Sequence, residues 1–262
     1  MVRQTIAPRG GLGPAWSGRD DNYQPPTALF RDIFIHEIRT PLTVARIALD
    51  LLRNAPDAAE VGRLAGWVEQ SLEWLQRLAE SVPAWTALIS GEVVLNRRLI
   101  TVKEWVEPAL ALVQPLLAWK EQQLRFIGAV PAAPVWGDPC WLQQAVVNLL
   151  TNAVRYGPRG DTIEVVVDSG RTRVEVRVTD HGPGLTPREI GRLFRPYGRT
   201  RPDADGRGLG LFLVRRVVEL HGGAVGVSSR PGEVTTFRIT LPAAGYEPEN
   251  GGTPRLVNHR RP

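Results

Sequence analysis

The sequence predicts a helical hairpin followed by an α+β domain in which helices pack on a mixed β-sheet. Two long segments before residue 82 carry apolar residues at steps of three or four, which is typical of amphipathic helices. Near Ser90-Gly91 the pattern changes to short runs in which apolar and polar residues alternate, as in half-buried strands. Further helical segments lie between these runs. A separate domain with both helices and strands is therefore expected to begin there.

The first predicted helix runs from about Thr27 to Asn54 and ends before Pro56. Pro41 lies inside this helix and lacks a backbone N–H, so a bend is expected there. The apolar stripe consists of Phe30, Phe34, Ile38, Pro41, Ala45, Leu49 and Leu52. The second helix is expected to begin at Asp57, with Glu60 placed as in a capping box. Its stripe consists of Val61, Leu64, Val68, Leu72, Leu75, Ala79 and Val82.

The apolar seam of this hairpin is too long for the hairpin to cover alone. A helix of near 27 residues is roughly 40 Å long. The simplest cover is a second copy of the chain, which predicts a homodimeric four-helix bundle. The alternative is that the hairpin packs on its own C-terminal domain.

Composition excludes several classes of protein. The 262 residues are enough for two modest domains, and the single cysteine, Cys140, excludes an internal disulfide framework. No apolar run reaches 18 residues and no signal-peptide pattern is present, so a soluble cytoplasmic protein without a transmembrane segment is expected. The net charge of +5 comes from arginines concentrated near residues 188–207. We interpret them as an anion site and do not expect nucleic-acid binding.

The chain divides into four predicted regions. Residues 1–26 are rich in Gly, Pro and polar residues and are expected to form a disordered tail. The hairpin is assigned to residues 27–90 and the second domain to residues 91–242. Residues 243–262 are expected to form a flexible tail. No folded domain is recognisable before residue 27.

His36 lies on the first predicted helix, outside the apolar stripe. A neutral imidazole is available as a nucleophile near neutral pH, and the neighbouring Glu37 can accept a proton. A single exposed histidine on a helix is more often an ordinary solvated residue, because one residue neither excludes water nor positions a substrate. Taken alone, His36 does not predict a function.

A pair of asparagines marks one helix of the second domain. Asp138-Pro139 predicts the start of this helix, with Asp138 as a structural N-cap. Asn148, Asn152 and Tyr156 follow at steps of four and share a face. Two stacked amide oxygens suit a Mg²⁺ ion carried by nucleotide phosphates. The alternative is a polar helix face in solvent.

Two glycine-containing turns follow. Alternating runs at 163–167 and 174–178 predict a strand pair that ends in Asp180-His-Gly182-Pro-Gly184, which alone is also ordinary turn chemistry. The segment 193–199 opens a loop with the composition of a lid. The turn 206–211 leads into a helix and offers backbone N–H groups to phosphate. His181 and His221 are interpreted as bystanders, and positive charge at His221 is expected to be mildly favourable at a helix C-terminus.

Five of these segments resemble, in order, the motifs of bacterial sensor histidine kinases. His36-Glu37-Ile-Arg-Thr40-Pro-Leu resembles the phosphoacceptor box, although Ile35 stands where the family usually has a small residue. The other four are similar to the N box (148–156), the G1 box (180–184), the F box (193–199) and the G2 box (206–211). The resemblance covers about residues 28–242. It implies a dimeric four-helix bundle followed by a Bergerat-type ATP-binding sandwich of helices on a mixed sheet, the fold shared with gyrase-type ATPases.

The resemblance implies ATP-dependent autophosphorylation of His36 and transfer of the phosphoryl group to an aspartate of a response-regulator receiver domain. It assigns His36, Glu37 and Thr40 to catalysis, with Thr40 in a phosphatase motif, and Asn148 and Asn152 to Mg²⁺. The residues implied in ATP binding are Asn148, Asn152, Arg155, Tyr156, Asp180, Gly182, Gly184, Arg199, Gly206, Gly208, Leu209 and Gly210. Among them, the Asp180 carboxylate accepts a hydrogen bond from the adenine amino group.

Two other functions stay open at this point. One is an ATP-driven conformational clamp of the gyrase-like superfamily, which the His36 box disfavours. The other is a non-catalytic phosphotransfer scaffold, which the asparagine and glycine motifs disfavour.

Overall fold

The computed structural model describes residues 26–53, 57–80, 95–128, 133–198, 209–247 and 255–256. The chain divides between Asn96 and Arg97 into two compact units. The predicted boundary near residue 90 lies outside the described residues, as do residues 1–25 of the expected N-terminal tail.

The first unit is a pair of helices, α1 (Pro26–Leu52) and α2 (Ala58–Glu80). Helix α1 continues through Pro41. The backbone N–H of Glu60 donates to Asp57 Oδ1 at 2.8 Å, so Asp57 caps α2 as predicted. The two helices pack along each other, which confirms the predicted hairpin.

The buried face of the hairpin differs from the predicted stripes. Its core contains Ile33, Val44, Ile47 and Ala48 of α1 with Leu64, Trp67, Trp74 and Leu78 of α2. Leu49, Val61 and Leu72, which were assigned to the predicted stripes, are exposed. Each helix therefore carries apolar residues beyond those that pack inside the hairpin, and the cover of this surface by a second copy stays a prediction.

Apolar surface therefore remains uncovered on the described hairpin. Ile35, Leu42 and Leu49 are exposed at steps of seven on α1, and Val61 and Leu72 are exposed on α2. A spacing of seven is the repeat by which helices pack side by side in bundles.

The second unit is an α+β domain. Its helices are α3 (Glu107–Trp119), α4 (Pro139–Tyr156), α5 (Pro187–Ile190) and α6 (Gly210–Leu220), with a short 3-10 helix at Val102–Glu104. Its strands are β1 (Arg98–Ile100), β2 (Gln123–Gly128), β3 (Val135–Gly137), β4 (Thr162–Ser169), β5 (Arg173–Asp180), β6 (Ala224–Arg230), β7 (Val234–Pro242), β8 (Tyr246–Glu247) and β9 (Arg255–Leu256).

The main sheet is mixed and has five strands in the order β2-β4-β5-β7-β6. Strand β2 is parallel to β4, and the other neighbours are antiparallel. The alternating residues of β4 and β5 place valines and isoleucine on one buried face: Ile163, Val165, Val167, Val174, Val176 and Val178. Helix α4 packs against β5 and lies between α3 and α6. The predicted fold of helices on a mixed sheet is confirmed.

The ordered backbone continues past the predicted boundary at residue 242. The N–H of Ala243 donates to the carbonyl of Thr172 at 3.0 Å, and the N–H of Ala244 donates to that of Pro134 at 2.7 Å. Strands β8 and β9 then pair in an antiparallel ladder. This part of the predicted flexible tail contains regular structure.

In the part of the chain that the structure describes, every helix is too short or too polar to cross a bilayer. The cytoplasmic location expected from the sequence stays a prediction.

Candidate functional site

Helix α4 positions four of the predicted site residues. Its first turn is fixed by Asp138, whose Oδ1 accepts from the N–H of Cys140 at 3.1 Å, as predicted for an N-cap. Asn148 is only 4% exposed, and its side-chain amide donates to the carbonyl of Gln144 at 3.2 Å. Asn152 is partly exposed, and Arg155 and Tyr156 at the end of the helix are exposed. Asn152 is therefore the more accessible of the two asparagines.

Asp180 is a buried carboxyl group at the end of β5. It is 3% exposed, and its Oδ1 accepts a hydrogen bond from the N–H of Gly182 at 3.0 Å. Burial raises the pKa of Asp180 to about 6, which the bond from Gly182 and the nearby His181 partly oppose. A buried acceptor with so little internal hydrogen bonding is suited to receive a donor from a ligand.

The two glycines after Asp180 allow close backbone packing. A Cβ at Gly182 would lie 2.7 Å from both Asp180 Oδ1 and the carbonyl oxygen of Tyr156. Gly184 has φ +65°, and a Cβ there would lie 2.2 Å from the carbonyl oxygen of Arg230. These glycines hold the end of α4 and the β6–β7 turn against the Asp180 turn, so the site is built by close approach of three backbone segments.

Sequence reasoning missed a polar pair beside Asp180. Thr235 of β7 is the partner of Asp180 in the antiparallel register and is buried. Its hydroxyl lies 2.9 Å from that of Ser229, which also receives the N–H of Leu185 at 2.9 Å. Thr235 and Asp180 are 55 positions apart in the chain and are brought together by strand pairing. No local sequence pattern predicts this pairing.

The N-terminus of α6 is a second candidate element. Leu209 and Gly210 are buried at its start. No described side chain caps this terminus, and the first turn contains no acidic residue. The first N–H groups of a helix carry partial positive charge, which favours an anion. Arg199, Gly206 and Gly208 of the predicted set lie outside the described residues.

His221 is a structural residue, and the expectation of a favourable positive charge there was wrong. Its ring lies in the core, where Nε2 accepts from the N–H of Asp138 at 3.0 Å and Nδ1 lies 2.7 Å from the carbonyl of Val217. Burial lowers the pKa of His221 to about 4, so the ring is neutral at physiological pH. It joins the C-terminal end of α6 to the start of α4.

The arginine-rich segment is only partly described. Arg188, Arg192 and Arg195 are exposed, as an anion site requires. Tyr197 has φ +57°, in the left-handed region that residues other than glycine rarely adopt. His181 Nδ1 lies 3.2 Å from Asp161 Oδ2 at the surface.

The predicted catalytic residues lie together on α1. His36 is in the helix, but its side chain lies outside the described residues. The Glu37 side chain is 1% exposed. Thr40 is partly buried, and its hydroxyl has no hydrogen-bond partner among the described residues. Thr43, by contrast, donates to the carbonyl of Arg39 one turn earlier at 2.8 Å.

Sequence comparison finds relatives of the second unit. Residues 137–245 match the family of histidine kinase-, DNA gyrase B- and HSP90-like ATPases. The chain is also 33% identical over 209 residues to the sensor histidine kinase ZraS of Salmonella typhimurium, an alignment that covers 79% of this chain and 44% of ZraS. The predicted resemblance to sensor histidine kinases is confirmed, although the chain spans less than half of this relative.

Two solved structures share the fold of the second unit and align with most of the chain. The Acinetobacter baumannii histidine kinase AdeS aligns with a TM-score of 0.52 at 22% identity, over 80% of this chain and 98% of AdeS. Full-length ShkA in complex with AMPPNP aligns with a TM-score of 0.55 at 20% identity, over 89% of this chain and 47% of ShkA.

Proposed function

We propose that this chain is the catalytic core of a two-component histidine kinase. It binds Mg-ATP in the ATPase domain, transfers the γ-phosphoryl group to His36, and passes it to an aspartate of a response-regulator receiver domain. The observation that carries the proposal is the presence, in one chain, of an ATPase domain with a buried carboxyl at Asp180 and a helical hairpin bearing His36-Glu37.

In the proposed site, Asp180 accepts a hydrogen bond from the adenine amino group. Asp180 is buried and receives one described hydrogen bond, from Gly182. An ionised carboxylate can accept several hydrogen bonds, so its oxygens can accept a further one from the base. Thr235 adds a hydroxyl directly across the strand pair. Gly182 and Gly184 keep side chains out of the space around the base.

The phosphates are proposed to lie at the start of α6. The N–H groups at Leu209 and Gly210, which no described side chain caps, support this placement, because the positive end of a helix favours an anion. Gly206, Gly208 and Arg199 complete this part of the proposed site. Arg155 and Tyr156, exposed in the last turn of α4, are proposed to provide a cation and an aromatic ring for the nucleotide.

Mg²⁺ is proposed to bind the side-chain oxygen of Asn152. The buried Asn148 lies one turn earlier on α4 and is proposed to serve the same ion. Amide oxygens are suitable ligands for magnesium, and the exposure of Asn152 supports it as the direct ligand. No group of three His, Cys, Asp or Glu side chains that could hold a metal is found in the described parts of the chain. When bound, Mg²⁺ neutralises charge on the phosphates during transfer.

The chemistry at His36 is proposed to be an in-line attack of an imidazole nitrogen on the γ-phosphorus, with ADP as leaving group. A neutral ring is the nucleophile, and Glu37 is proposed to polarise it. The burial of Glu37 supports this, since a carboxylate shielded from water interacts more strongly with a neighbouring proton donor.

One incubation with labelled ATP separates this proposal from the two other functions. A kinase accumulates acid-labile, alkali-stable label on the protein together with ADP. A gyrase-like clamp releases ADP without labelling the protein, and a phosphotransfer scaffold does neither. Unlabelled protein after complete turnover of the ATP contradicts the proposed kinase activity.

The proposed kinase is a homodimer, and Leu72→Glu is expected to weaken it. Leu72 is 56% exposed on the hairpin, so the substitution leaves the fold of one copy intact but places a charge in an apolar interface. Burying an unpaired carboxylate typically raises the dissociation constant by about tenfold or more. Sedimentation velocity measures the change. Gln70→Glu, a charge added at an exposed polar position of α2, is the control, and equal dimerisation of both variants contradicts the prediction.

Thr40→Ala is expected to separate two activities. An acyl phosphate is already activated, so its hydrolysis on a docked receiver domain needs a positioned water more than a strong acid. The Thr40 hydroxyl, which has no partner among the described residues, is proposed to orient this water. Labelling of His36 should persist, while dephosphorylation of the receiver domain should fall by about tenfold or more. Thr43→Ala, which removes only a bond to the helix backbone, should change neither rate.

A further inference from the structure

Helix α4 ends without a left-handed glycine cap. Gly157, the residue after its last turn, has extended backbone angles of φ −62° and ψ 146°. The final carbonyl groups of a helix lack partners within the helix and carry partial negative charge. In this domain the carbonyl groups of Val154 and Arg155, and that of Gly157 just after the helix, are satisfied by side chains from another part of the chain.

Lys120, at the end of α3, supplies three of these bonds. Its Nζ lies 2.8 Å from each of the carbonyl oxygens of Val154, Arg155 and Gly157. An ammonium group has three N–H donors, so all of them are used on this backbone. Burial lowers the pKa of Lys120, as expected for a cation held among neutral groups.

Gln122, two residues later, reinforces the same turn. Its Nε2 lies 3.4 Å from the carbonyl oxygen of Val154, 3.1 Å from that of Gly157 and 2.8 Å from that of Pro158. The orientation of the amide follows from these neighbours, since only the nitrogen can donate to three carbonyls. Its Oε1 has no partner among the described residues, so the side chain is held through its donors.

This turn of α4 borders the proposed nucleotide site. The carbonyl oxygen of Tyr156 lies 2.7 Å from the position of a Cβ at Gly182. A Cβ at Gly157 would lie 3.8 Å from that of Asp180. Arg155 and Tyr156 belong to the turn itself, and Asn152 lies in the preceding turn.

We propose that Lys120 is a positioning residue for nucleotide binding, which holds the last turn of α4 so that Asn152, Arg155 and Tyr156 face the nucleotide correctly. The inference rests on the proposed function. Lys120 itself has no donor left for a phosphate, so its effect passes through the helix backbone. Its loss should therefore weaken nucleotide binding and leave the chemical step at saturating ATP unchanged.

The test compares Lys120→Met, Lys120→Arg and Lys103→Met in the full chain. Methionine keeps an unbranched stem without donors, arginine restores charge and donors, and Lys103 is the other lysine of the chain, exposed on the short 3-10 helix. Lys120→Met should raise the Mg-ADP dissociation constant in calorimetry and the KM for ATP by about tenfold, with kcat within about twofold. Lys120→Arg should recover most of the affinity, and Lys103→Met should behave as wild type.

A purely structural role gives a different result. General destabilisation lowers the melting temperature, but at a temperature where the variant is still folded it leaves the Mg-ADP dissociation constant unchanged. Unchanged Mg-ADP affinity in Lys120→Met overturns the inference, as does a loss confined to kcat. If Lys120→Met does not fold, Lys120→Gln, which keeps two donors, decides by the same criterion. A wild type that binds Mg-ADP but is never labelled refutes the proposed kinase and leaves this binding test intact, whereas a wild type that binds no nucleotide overturns both.

Discussion

Asp180→Asn is expected to weaken nucleotide binding strongly and, at the same time, to make the nucleotide-free protein more stable at neutral pH. The two effects have one cause, which is the burial of a carboxylate whose negative charge serves the ligand and destabilises the fold. The asparagine side chain can still accept the hydrogen bond from Gly182. It then presents to the adenine amino group either its NH2 group, which is a donor, or its neutral oxygen, which is a weaker acceptor than a carboxylate. Loss of a buried hydrogen bond to a charged group should reduce affinity by roughly a hundredfold.

The stability effect follows from the pKa of Asp180. Burial raises this pKa from 3.8 to about 6, so the folded state holds the proton more tightly than the unfolded state. Between these values stability falls as pH rises, and above pH 6 the full penalty for the buried charge, about 3 kcal/mol at most, is present. Asp180→Asn removes this penalty, so the variant should be more stable than wild type at pH 8. At pH 4 the two proteins should be almost equally stable, because wild-type Asp180 is largely protonated there.

Thermal melts of nucleotide-free protein at pH 8 and pH 4 measure this difference. We expect the melting temperature of Asp180→Asn to exceed that of wild type by several degrees at pH 8, since about 1 kcal/mol corresponds to roughly 2–4 °C in a chain of this size. Asp168→Asn, a substitution at an exposed position of β4, is the control and should leave the melting temperature unchanged at both pH values. A lower melting temperature at pH 8, or wild-type Mg-ADP affinity, contradicts this account.

Local sequence patterns predicted the elements of the fold well. The alternation in β4 and β5 and the Asp138-Pro139 start of α4 are local signals, and the structure contains both. The hairpin was also predicted, but the two tryptophans of its core were not. Trp67 and Trp74 are buried where the sequence placed no stripe. A helix with two apolar stripes satisfies the same periodicity whichever stripe is buried.

The parts of the site that were not predicted depend on contacts between segments that are far apart in the sequence. Thr235 reaches Asp180 through strand pairing, and Lys120 reaches the end of α4 across more than 30 residues. His221 was interpreted from its position at a helix end, where charge is favourable. Its burial against Asp138 reverses that argument, since desolvation outweighs the helix dipole. None of these contacts has a local signature in the sequence.

The central claim is that ATP phosphorylates this chain at His36, and locating the label tests it most directly. The chain contains four histidines, namely His36, His181, His221 and His259. His36→Gln removes the nucleophile, whereas His181→Gln removes a ring at the domain surface and is the matched control. Mg-ADP binding, measured on each variant, shows that the ATPase domain is intact.

The measurement is acid-labile label per chain after incubation with Mg-ATP, followed by mapping of the phosphorylated peptide. The account predicts that label maps to the peptide containing His36, that His36→Gln carries none while binding Mg-ADP as wild type does, and that His181→Gln is labelled normally. Undiminished label in His36→Gln, or label mapped to another histidine, would contradict the account.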